Sequence, residues 1–509
     1  VNGSEKAINF LNYISMLILF IAWVNYINLS TARAMDRAKE VGLRKVVGAY
    51  KGQLIWQFLT EALIVNLTAA ILAVVMAQLV LPVFNHLIGR TVMVDVWTNP
   101  SFLITLLLFF LLGTFVSGFY PALVLSRYKP TQVLKGKFRS SKNGTLLRKS
   151  LVVVQFAASI VLVAGTLIIQ KQVSFMLGKD IGLDTNPVVT FSIPEVQDEE
   201  TANRSDLFKE RLLSHSSVVA MGRTSNVPGG SAADINTTTS DVIMEGKSEP
   251  IPGTTYLQFV DDFFIPTVDL KILEGRNFDR ERASDSTALL ANEAFVRRFD
   301  IQIGEAIEKT LQFGSTEGEK HILIGVVQDF NRTSLKSAVE PTIYVPSLYN
   351  SNFLMKMNAE GVDDALIHLE QTWDEFYPEI PLDYSFLDDR FATLYMEDQR
   401  FGTIFFYFSI FSIFIALLGL FGLAAFISIQ RTKEVGIRKA LGASVMEIVS
   451  MFVKEFVILV AVAALVGFPL VYFSMESWLN NYAFHIDFPW LVGILGVIVV
   501  DVCAISVSF

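Results

Sequence analysis

The chain has 509 residues, of which 52% are hydrophobic and 18% are charged, with a net charge of −9 and a mean hydropathy of +0.46. A soluble globular protein carries about a quarter charged residues, so this composition favours a membrane protein. The lone cysteine, Cys503, excludes a disulfide framework, and five scattered histidines without ligand spacing predict no metal site.

Apolar runs long enough to cross a bilayer recur along the whole sequence. A membrane-spanning helix needs about 20 mostly apolar residues. Seven windows qualify, at 8–29, 57–84, 101–125, 150–170, 402–429, 453–474 and 488–509. The first residue is Val1 and the last window stops without a polar flank, so we expect the sequence to be an internal piece of a longer chain.

The charges between these windows predict how the chain is oriented in the membrane. Residues 126–150 hold eight Lys or Arg and no Asp or Glu, which indicates the cytoplasmic side. Because the spans alternate, the basic segments 30–52 and 430–445 face the same side, and residues 171–399 fall outside. That outer stretch carries 39 acidic against 19 basic residues, a net charge of −20, which leaves +11 for the rest of the chain. An acidic outer domain on a basic membrane part gives no reason to expect a nucleic-acid partner.

The outer stretch has the pattern of an α/β domain. β-rich runs at 186–194, 321–330 and 341–347 are bounded by Pro, Gly, Asp or Asn, as strands are. The stretch 361–378 then predicts a helix with one apolar face. That face consists of Leu366, Leu369, Trp373 and Phe376, which we expect to be ordinary core.

A short basic segment occurs twice. Residues 39–49 read KEVGLRKVVGA and residues 433–443 read KEVGIRKALGA, so eight of eleven positions are identical at an offset of 394. Each copy follows one apolar span and precedes another, and two copies facing the cytoplasm can dock two identical partners. At the same offset the further pairs are Arg37 with Arg431, Phe58 with Phe452 and Glu61 with Glu455.

Within each copy the charges are spaced for a helix. Glu40 and Arg44, like Glu434 and Arg438, are four residues apart in the order that favours a helical salt bridge. A simple topogenic role for the Lys and Arg residues explains the charge. It does not explain the repeated order of Glu, Gly, Arg, Lys and Gly-Ala.

The glycines of the motif predict where each helix stops. We expect Gly42 and Gly48, like Gly436 and Gly442, to interrupt the helix. The interruptions would leave a short helix lying along the membrane surface between two turns.

On these residues the chain resembles a known family. EVGLRKVVGA and EVGIRKALGA are similar to the signature of the FtsX-like permease domain of MacB/FtsX-type (type VII) ABC transporter permeases. The stretches 26–45 and 116–136 (VSGFYPALVLSRYKPTQVLKG) resemble parts of its first copy. FVDDFFIPTVDLKILEGRNFDRE (259–281), ALLANEAFVRRFD (288–300) and IGVVQDFNRTSL (324–335) resemble the MacB-like periplasmic domain, so the resemblance covers essentially the whole chain.

The resemblance implies an α-helical polytopic membrane protein with a large extracytoplasmic α/β domain. Eight spans are expected in the full chain, and seven are present. We expect a first span and a first periplasmic domain before Val1, and a tail after Phe509. The first implied domain, 1–149, holds the last three spans of a first FtsX-like unit with its coupling helix and cytoplasmic linker. The first span of a second unit follows at 150–170, and a MacB-like periplasmic domain at 171–399. The last implied domain, 400–509, is a second FtsX-like domain cut at its C-terminus.

By the same resemblance, segments 31–52 and 425–446 correspond to coupling helices that contact a separate cytoplasmic ABC ATPase homodimer. The chain itself would catalyse no reaction and bind no cofactor or metal, and ATP with Mg²⁺ would belong to the ATPase. The implied location is the bacterial inner membrane, with lipid, a periplasmic adaptor and outer-membrane channel, or another periplasmic protein as further partners. The residues assigned to coupling are Glu40, Val41, Gly42, Leu43, Arg44, Lys45, Gly48, Ala49, Glu434, Val435, Gly436, Ile437, Arg438, Lys439, Gly442 and Ala443.

Other chemistries find less support in the sequence. A P-loop needs GxxxxGK[ST], and the nearest match, DVIMEGKSE at 241–249, has Asp241 at the first glycine position. Ion-coupled transport needs ionisable groups near the middle of the membrane. Asp501 is the one such residue well inside an apolar run, and we assign it no role. No nucleophile-plus-base arrangement is readable in the outer stretch, so a hydrolase is not expected.

Two functions remain open. One is the export of amphiphilic or peptide-like compounds, of which lipoprotein extraction is a close variant. The other is mechanotransmission, in which the complex moves no solute and activates a periplasmic partner such as a cell-wall hydrolase. The tandem architecture and the MacB-like outer domain favour export, while the substrate is not identified by the sequence.

Overall fold

The computed structural model describes residues 5–89, 91, 100–126, 142–185, 187–196, 198–230, 237–240, 242–245, 249–250, 252–313 and 319–508. Most of the basic linker, at 127–141, lies outside these ranges, as do Asp241 and 246–248 of the P-loop near match. The chain divides into two compact units. The helical unit is Val1–Gln172, Asp398–Trp478 and Ile486–Phe509, and the α/β unit is Val173–Glu397 and Leu479–His485.

The helical unit begins with long apolar helices. Their bounds are α1 (Glu5–Val46), α2 (Lys51–Ile88), α3 (Pro100–Ser126) and α4 (Lys142–Gly178). Glycines let α3 approach its neighbours closely. A Cβ on Gly118 would lie 2.8 Å from the Cβ of Ala62 on α2, and a Cβ on Gly113 would lie 3.0 Å from Nε1 of Trp23 on α1. Small residues at such crossings are typical of helices packed in a membrane.

The α/β unit is built around a mixed β-sheet. Its strands are β1 (Val188–Ser192), β2 (Val218–Thr224), β3 (Thr238–Thr239), β4 (Val242–Met244), β5 (Thr255–Val260), β6 (Ile272–Gly275), β7 (Ala288–Asn292), β8 (Thr310–Phe313), β9 (Lys320–Val327), β10 (Thr342–Pro346), β11 (Asn352–Met357) and β12 (Tyr384–Phe386). Its helices are α5 (Glu199–Leu213), α6 (Phe264–Thr267), α7 (Glu293–Arg298), α8 (Val362–Phe376) and α9 (Leu387–Leu394). The strand order is β12-β1-β11-β2-β5-β10-β7-β9-β8-β4, with β3 beside β5 and β6 beside β9. Pairs β5–β10 and β7–β9 are parallel, and the other pairs are antiparallel.

The predicted strands form as β1, β9 and β10, and the predicted helix forms as α8. Leu369 and Trp373 are almost fully buried, and Leu366 and Phe376 pack against the same cluster. The Trp373 ring meets the ring of Phe191 on β1 edge to face, with centroids 6.1 Å apart. The apolar face of α8 is therefore core, as predicted.

The chain continues as α10 (Met396–Gln430), α11 (Thr432–Ala440), α12 (Val445–Leu479) and α13 (Trp490–Ser508). Helices α4 and α10 are joined by buried hydroxyl pairs, Ser159 with Ser412 at 3.0 Å and Thr166 with Ser409 at 2.7 Å. A Cβ on Gly496 of α13 would lie 2.9 Å from a Cβ on α4. Polar side chains that bond across helices satisfy each other where no water is present.

Five helices in the described ranges are long and apolar enough to cross a membrane. They contain Leu11–Asn28, Lys51–Leu87, Lys149–Gly178, Met396–Ala425 and Val445–Leu479. Shorter apolar stretches occur at Pro100–Phe115 in α3 and Trp490–Cys503 in α13. The chain is thus a multi-pass membrane protein, and the count of seven spans stays a prediction.

The two repeats meet at equivalent positions. Asn25 on α1 and Gly419 on α10 are related by the repeat offset of 394, and they touch. The Asn25 side-chain amide donates to the Ile415 carbonyl at 2.7 Å, and a Cβ on Gly419 would overlap the Asn25 carboxamide. Contact between equivalent residues is expected where two repeats pack around a shared axis. The two positions differ in size, because the glycine leaves the space that the asparagine fills.

The segment Leu479–His485, between α12 and α13, belongs to the α/β unit rather than to the helical unit. The Ala483 N–H donates to the Lys336 carbonyl at 3.0 Å, and the Phe484 N–H donates to the Leu335 carbonyl at 3.2 Å. The Lys179 ammonium lies 3.9 Å from the centroid of the Phe484 ring. These seven residues fall within the predicted domain 400–509, and nothing in the sequence indicated that they would pack in the α/β unit.

Candidate functional site

The first copy of the repeat ends α1. The Gly48 N–H bonds the Lys45 carbonyl at 3.2 Å, and the Ala49 N–H bonds the Arg44 carbonyl at 2.9 Å. This pair of bonds is a Schellman motif, which closes a helix at a residue with positive φ. Gly48 has φ +103°. The predicted ion pair is confirmed, with Arg44 2.6 Å from Glu40.

The second copy repeats these bonds one for one at the end of α11. The Gly442 N–H bonds the Lys439 carbonyl at 3.1 Å, and the Ala443 N–H bonds the Arg438 carbonyl at 3.0 Å. Gly442 has φ +93°, and Arg438 lies 3.0 Å from Glu434. The sequence identity of the repeats therefore extends to their backbone geometry.

The prediction that all four glycines interrupt the helix is wrong for two of them. Gly42 lies within α1 and Gly436 within α11. A single glycine costs a helix only about 1 kcal/mol relative to alanine, which is too little to end it alone. Gly48 and Gly442 do end their helices, because only glycine adopts such φ values without strain.

The predicted short helix is found in the second copy. There α11 is a nine-residue helix, separated from α10 at Arg431, whose φ is −96° and ψ is 10°. In the first copy the same sequence continues α1 without a break from Glu5 to Val46. The two copies thus share their C-terminal cap and differ in how each joins the preceding span.

Each copy exposes an apolar pair one helical turn apart. Leu43 and Val47 are 59% and 82% exposed, and their equivalents Ile437 and Leu441 are 63% and 82% exposed. These residues lie outside the candidate spans. Isolated exposed apolar residues are ordinary. A duplicated apolar pair beside an arginine instead fits a protein contact, because arginine is enriched in protein interfaces.

A charge cluster fixes the second copy to its neighbours. Glu455 on α12 lies 3.2 Å from Arg431 and 2.7 Å from Lys149 on α4. The Arg431 guanidinium also lies 6.0 Å from the centroid of the Phe452 ring. Arg431, Phe452 and Glu455 are three of the positions that the repeat duplicates, and in the second copy Arg431 contacts the other two. The sequence did not single out Lys149, whose only signal was its place in a basic segment.

The first copy is anchored by apolar contacts. Val41, Leu54 and Phe58 form a buried cluster at the junction of α1 and α2. The side chain of Arg37 lies outside the described residues. Burial lowers the pKa of Lys45, and the charge of Lys51 lowers it further. The position of Phe58 matches that of Phe452 in the second copy.

Asp501 lies on α13, where its Oδ1 atom is buried without a hydrogen-bond partner among the described residues. The described part of the chain brings together no group of three or more His, Cys, Asp or Glu that could hold a metal. The candidate site is therefore the pair of repeat segments.

Two stretches of the chain, residues 12–130 and 406–509, match the family model described as FtsX-like permease C-terminal. Each matched stretch contains one copy of the basic segment with the helices on both sides of it. The chain thus contains two stretches that match an FtsX-like domain.

Relatives of known type agree with this class. The macrolide export ATP-binding/permease protein MacB of Sodalis glossinidius is 32% identical over 125 residues, 24% of this chain and 19% of that protein. MacB of Campylobacter jejuni is 28% identical over 121 residues, 24% of this chain and 18% of that protein. In these stretches the chain resembles the MacB/FtsX-type ABC permeases, and it spans less than a fifth of the length of these relatives.

Among solved structures, the periplasmic region of MacB from Actinobacillus actinomycetemcomitans is 15% identical to this chain. It covers 43% of this chain and 97% of its own, with a TM-score of 0.29.

Proposed function

We propose that this chain is the permease subunit of an ABC transporter in the bacterial inner membrane, and that each repeat docks one subunit of a cytoplasmic ATPase homodimer. The observation that supports the proposal most is the duplication of a whole surface. The same backbone cap, ion pair and exposed apolar pair recur at one offset. Two identical ATPase subunits present two identical surfaces and need two matching surfaces in return. ATP and Mg²⁺ are bound by the ATPase, a separate chain.

The chemistry of each surface suits such a partner. Burying an exposed leucine or isoleucine stabilises a contact by about 1.5–3 kcal/mol, so Leu43 and Ile437 are the apolar anchors. Arg44 and Arg438 are about half exposed despite their intrahelical ion pairs. Each guanidinium keeps donors for a carboxylate on the ATPase.

The α/β unit responds to the motion that ATP hydrolysis causes in the membrane spans. The chain passes between the helical unit and the α/β unit at residues 172/173, 397/398, 478/479 and 485/486. We infer that displacement of the spans by ATP hydrolysis changes the conformation of the α/β unit in the periplasm. That change drives export of amphiphilic or peptide-like compounds, with a periplasmic adaptor and an outer-membrane channel as further partners. The relatives named for macrolide export support export over the alternative.

Mechanotransmission is the second candidate, and one observation is compatible with it as well as with export. The segment joining α12 to α13 is bonded into the α/β unit through the backbone groups of Ala483 and Phe484. A main-chain connection of this kind transmits displacement whether or not a solute moves. Stimulation of ATP hydrolysis by an exported compound favours export, and stimulation by a periplasmic hydrolase favours mechanotransmission.

The test is co-purification of the full-length permease with its ATPase, together with the ATPase activity of the complex. Arg44→Glu combined with Arg438→Glu is expected to abolish both. A charge swap is the matched control for structure and topology: Glu40→Arg with Arg44→Glu, and Glu434→Arg with Arg438→Glu. The swap keeps each ion pair, although in the less favourable order for a helix, and it keeps the number of basic residues. A helix-stabilising or topogenic role therefore predicts nearly normal behaviour. Docking predicts loss, and full activity of the swapped protein contradicts the proposal.

A further inference from the structure

A polar cavity of about 360 Å³ opens in the α/β unit. This volume lies in the range of small-molecule sites, about 300–1,000 Å³. The wall comes from β1, β12, the start of β11, the segments that follow β2 and β9, and α9. Much of the wall consists of hydroxyl and amide side chains, namely Ser192, Ser225, Asn226, Thr333, Asn352 and Ser385.

These hydroxyl and amide groups hold one another in place. The Asn352 amide donates to the Ser225 carbonyl at 2.8 Å, and its oxygen accepts from the Ser192 hydroxyl at 2.7 Å. The Thr190 hydroxyl lies 3.2 Å from the Ser385 hydroxyl. The wall is therefore preorganised, which lowers the entropic cost of binding a ligand.

Two charged residues of the cavity have no ion-pair partner in the described part of the chain, unlike the hydroxyl and amide groups, which bond to one another. Arg390 has no ion pair within the described residues, and its Nε is buried without a hydrogen-bond partner there. Asp383 also lines the cavity, is exposed and has no ion-pair partner in the same ranges. A guanidinium and a carboxylate thus line one cavity and do not neutralise each other directly.

The second arginine of the cavity, Arg332, is buried and ion-paired, although its Nε and Nη1 atoms have no hydrogen-bond partner in the described residues. Arg332 is 7% exposed, lies 3.0 Å from Glu340 and stacks over the Tyr256 ring at 4.5 Å. It also lines a much smaller cavity of about 10 Å³ together with Tyr344. We therefore assign direct ligand contact to Arg390 and a fixed background charge to Arg332.

A glycine links the two arginines. The Gly229 N–H donates to the Arg332 carbonyl at 2.9 Å. Gly229 has φ +79°, and a Cβ there would lie 3.0 Å from the Cβ of Arg390. The segment that contains Gly229 can pass this close to α9 only because the residue is glycine. Packing of this segment against α9 therefore holds the backbone of Arg390 in place.

We propose that this cavity binds a small zwitterion, such as a short peptide, with its carboxylate on Arg390 and its ammonium group on Asp383. Arginine presents paired N–H donors that match a carboxylate. The Glu340 carboxylate neutralises the charge of Arg332. The charges that remain in the cavity are one guanidinium and one carboxylate, which complement the two charges of a zwitterion. The inference deepens the proposed export function, on which it rests for the role of the ligand as cargo.

The test measures binding of trialanine to the full-length permease in lipid nanodiscs by titration calorimetry, without the ATPase. Trialanine amide lacks the carboxylate and N-acetyl-trialanine lacks the ammonium group. Each is expected to bind about tenfold more weakly or worse than trialanine, the usual effect of losing a charge-assisted hydrogen bond. Equal binding of all three peptides, or no binding of trialanine, overturns the proposal.

Two variants test which protein group binds which end of the peptide. Arg390→Ala should weaken trialanine binding and remove the difference between trialanine and its amide. Asp383→Asn should remove the difference between trialanine and the acetylated peptide, and it should fold normally because Asp383 is exposed. Arg211→Ala, an exposed arginine outside the cavity, is the control and should leave all three affinities unchanged. Loss of both differences in one variant, or in neither, contradicts the assignment.

Binding and docking can fail separately. If trialanine does not bind but the ATPase still co-purifies through the repeats, the cavity assignment is wrong and the proposed function stands. If trialanine binds as expected but the repeat variants keep full ATPase activity, the cavity assignment stands and the docking proposal is wrong.

Discussion

Replacing Asp261 with alanine removes the acceptor at the centre of a buried charge network in the α/β unit. The Asp261 carboxylate accepts from the Lys209 ammonium at 2.6 Å, the Arg223 N–H at 2.9 Å and the Phe263 N–H at 3.2 Å. Lys209 and Arg223 are 7% and 2% exposed. Without the carboxylate the Lys209 charge is buried and unpaired, so the variant should lose about 3–5 kcal/mol of stability.

The assay is hydrogen exchange of the full-length protein, read on β2 and β5. A loss of 3–5 kcal/mol lowers amide protection there by about two to three and a half powers of ten. Asp279→Ala is the control, because its exposed carboxylate lies 3.0 Å from Arg282 and an exposed pair contributes only about 0–1 kcal/mol. Equal effects of the two substitutions would refute the reasoning that burial sets the cost.

Three further predictions concern backbone, packing and pH. Gly442→Ala should destabilise the end of α11 and weaken ATPase docking, because alanine is strained at positive φ. Gly436→Ala lies inside the helix and is equally open around its Cα, so it should be neutral or stabilising in hydrogen-exchange measurements. Equal effects of the two substitutions would contradict the role of positive φ. Gly419→Ala should lower the melting temperature, and Asn25→Ala should restore it in the double variant, since the new methyl group overlaps that carboxamide; additive losses contradict the contact. Burial, and then a neighbouring carboxylate, raises the pKa of Asp262, so its ionised form costs stability as pH rises through the folded pKa. Asp262→Asn should therefore stabilise the α/β unit against urea at pH 7, with a gain that shrinks toward about pH 4, and a gain independent of pH contradicts this sign.

The repeat was the part of the site most open to prediction. Charge spacing predicted the pairs Glu40–Arg44 and Glu434–Arg438, because an i,i+4 contact depends only on helical geometry. The same local rule failed for Gly42, since a glycine lowers helix stability without fixing where the helix ends. Nor could the sequence show that nearly identical segments would continue a span in one copy and form a separate helix in the other.

The cavity could not be predicted. Its wall joins β1, β11 and β12, strands that are far apart in the chain and adjacent only through antiparallel pairing. Arg390 and Asp383 carry no motif, and their significance depends on which partners they lack in three dimensions. The packing of Leu479–His485 in the α/β unit is likewise a long-range contact without a local signal.

The central claim is that two repeats dock two ATPase subunits, and the most direct test is the mass of the purified complex by native mass spectrometry. Docking through both repeats predicts two ATPase subunits for each full-length permease, and none for the protein carrying both charge swaps. One ATPase subunit per permease, or two in the swapped protein, would contradict it.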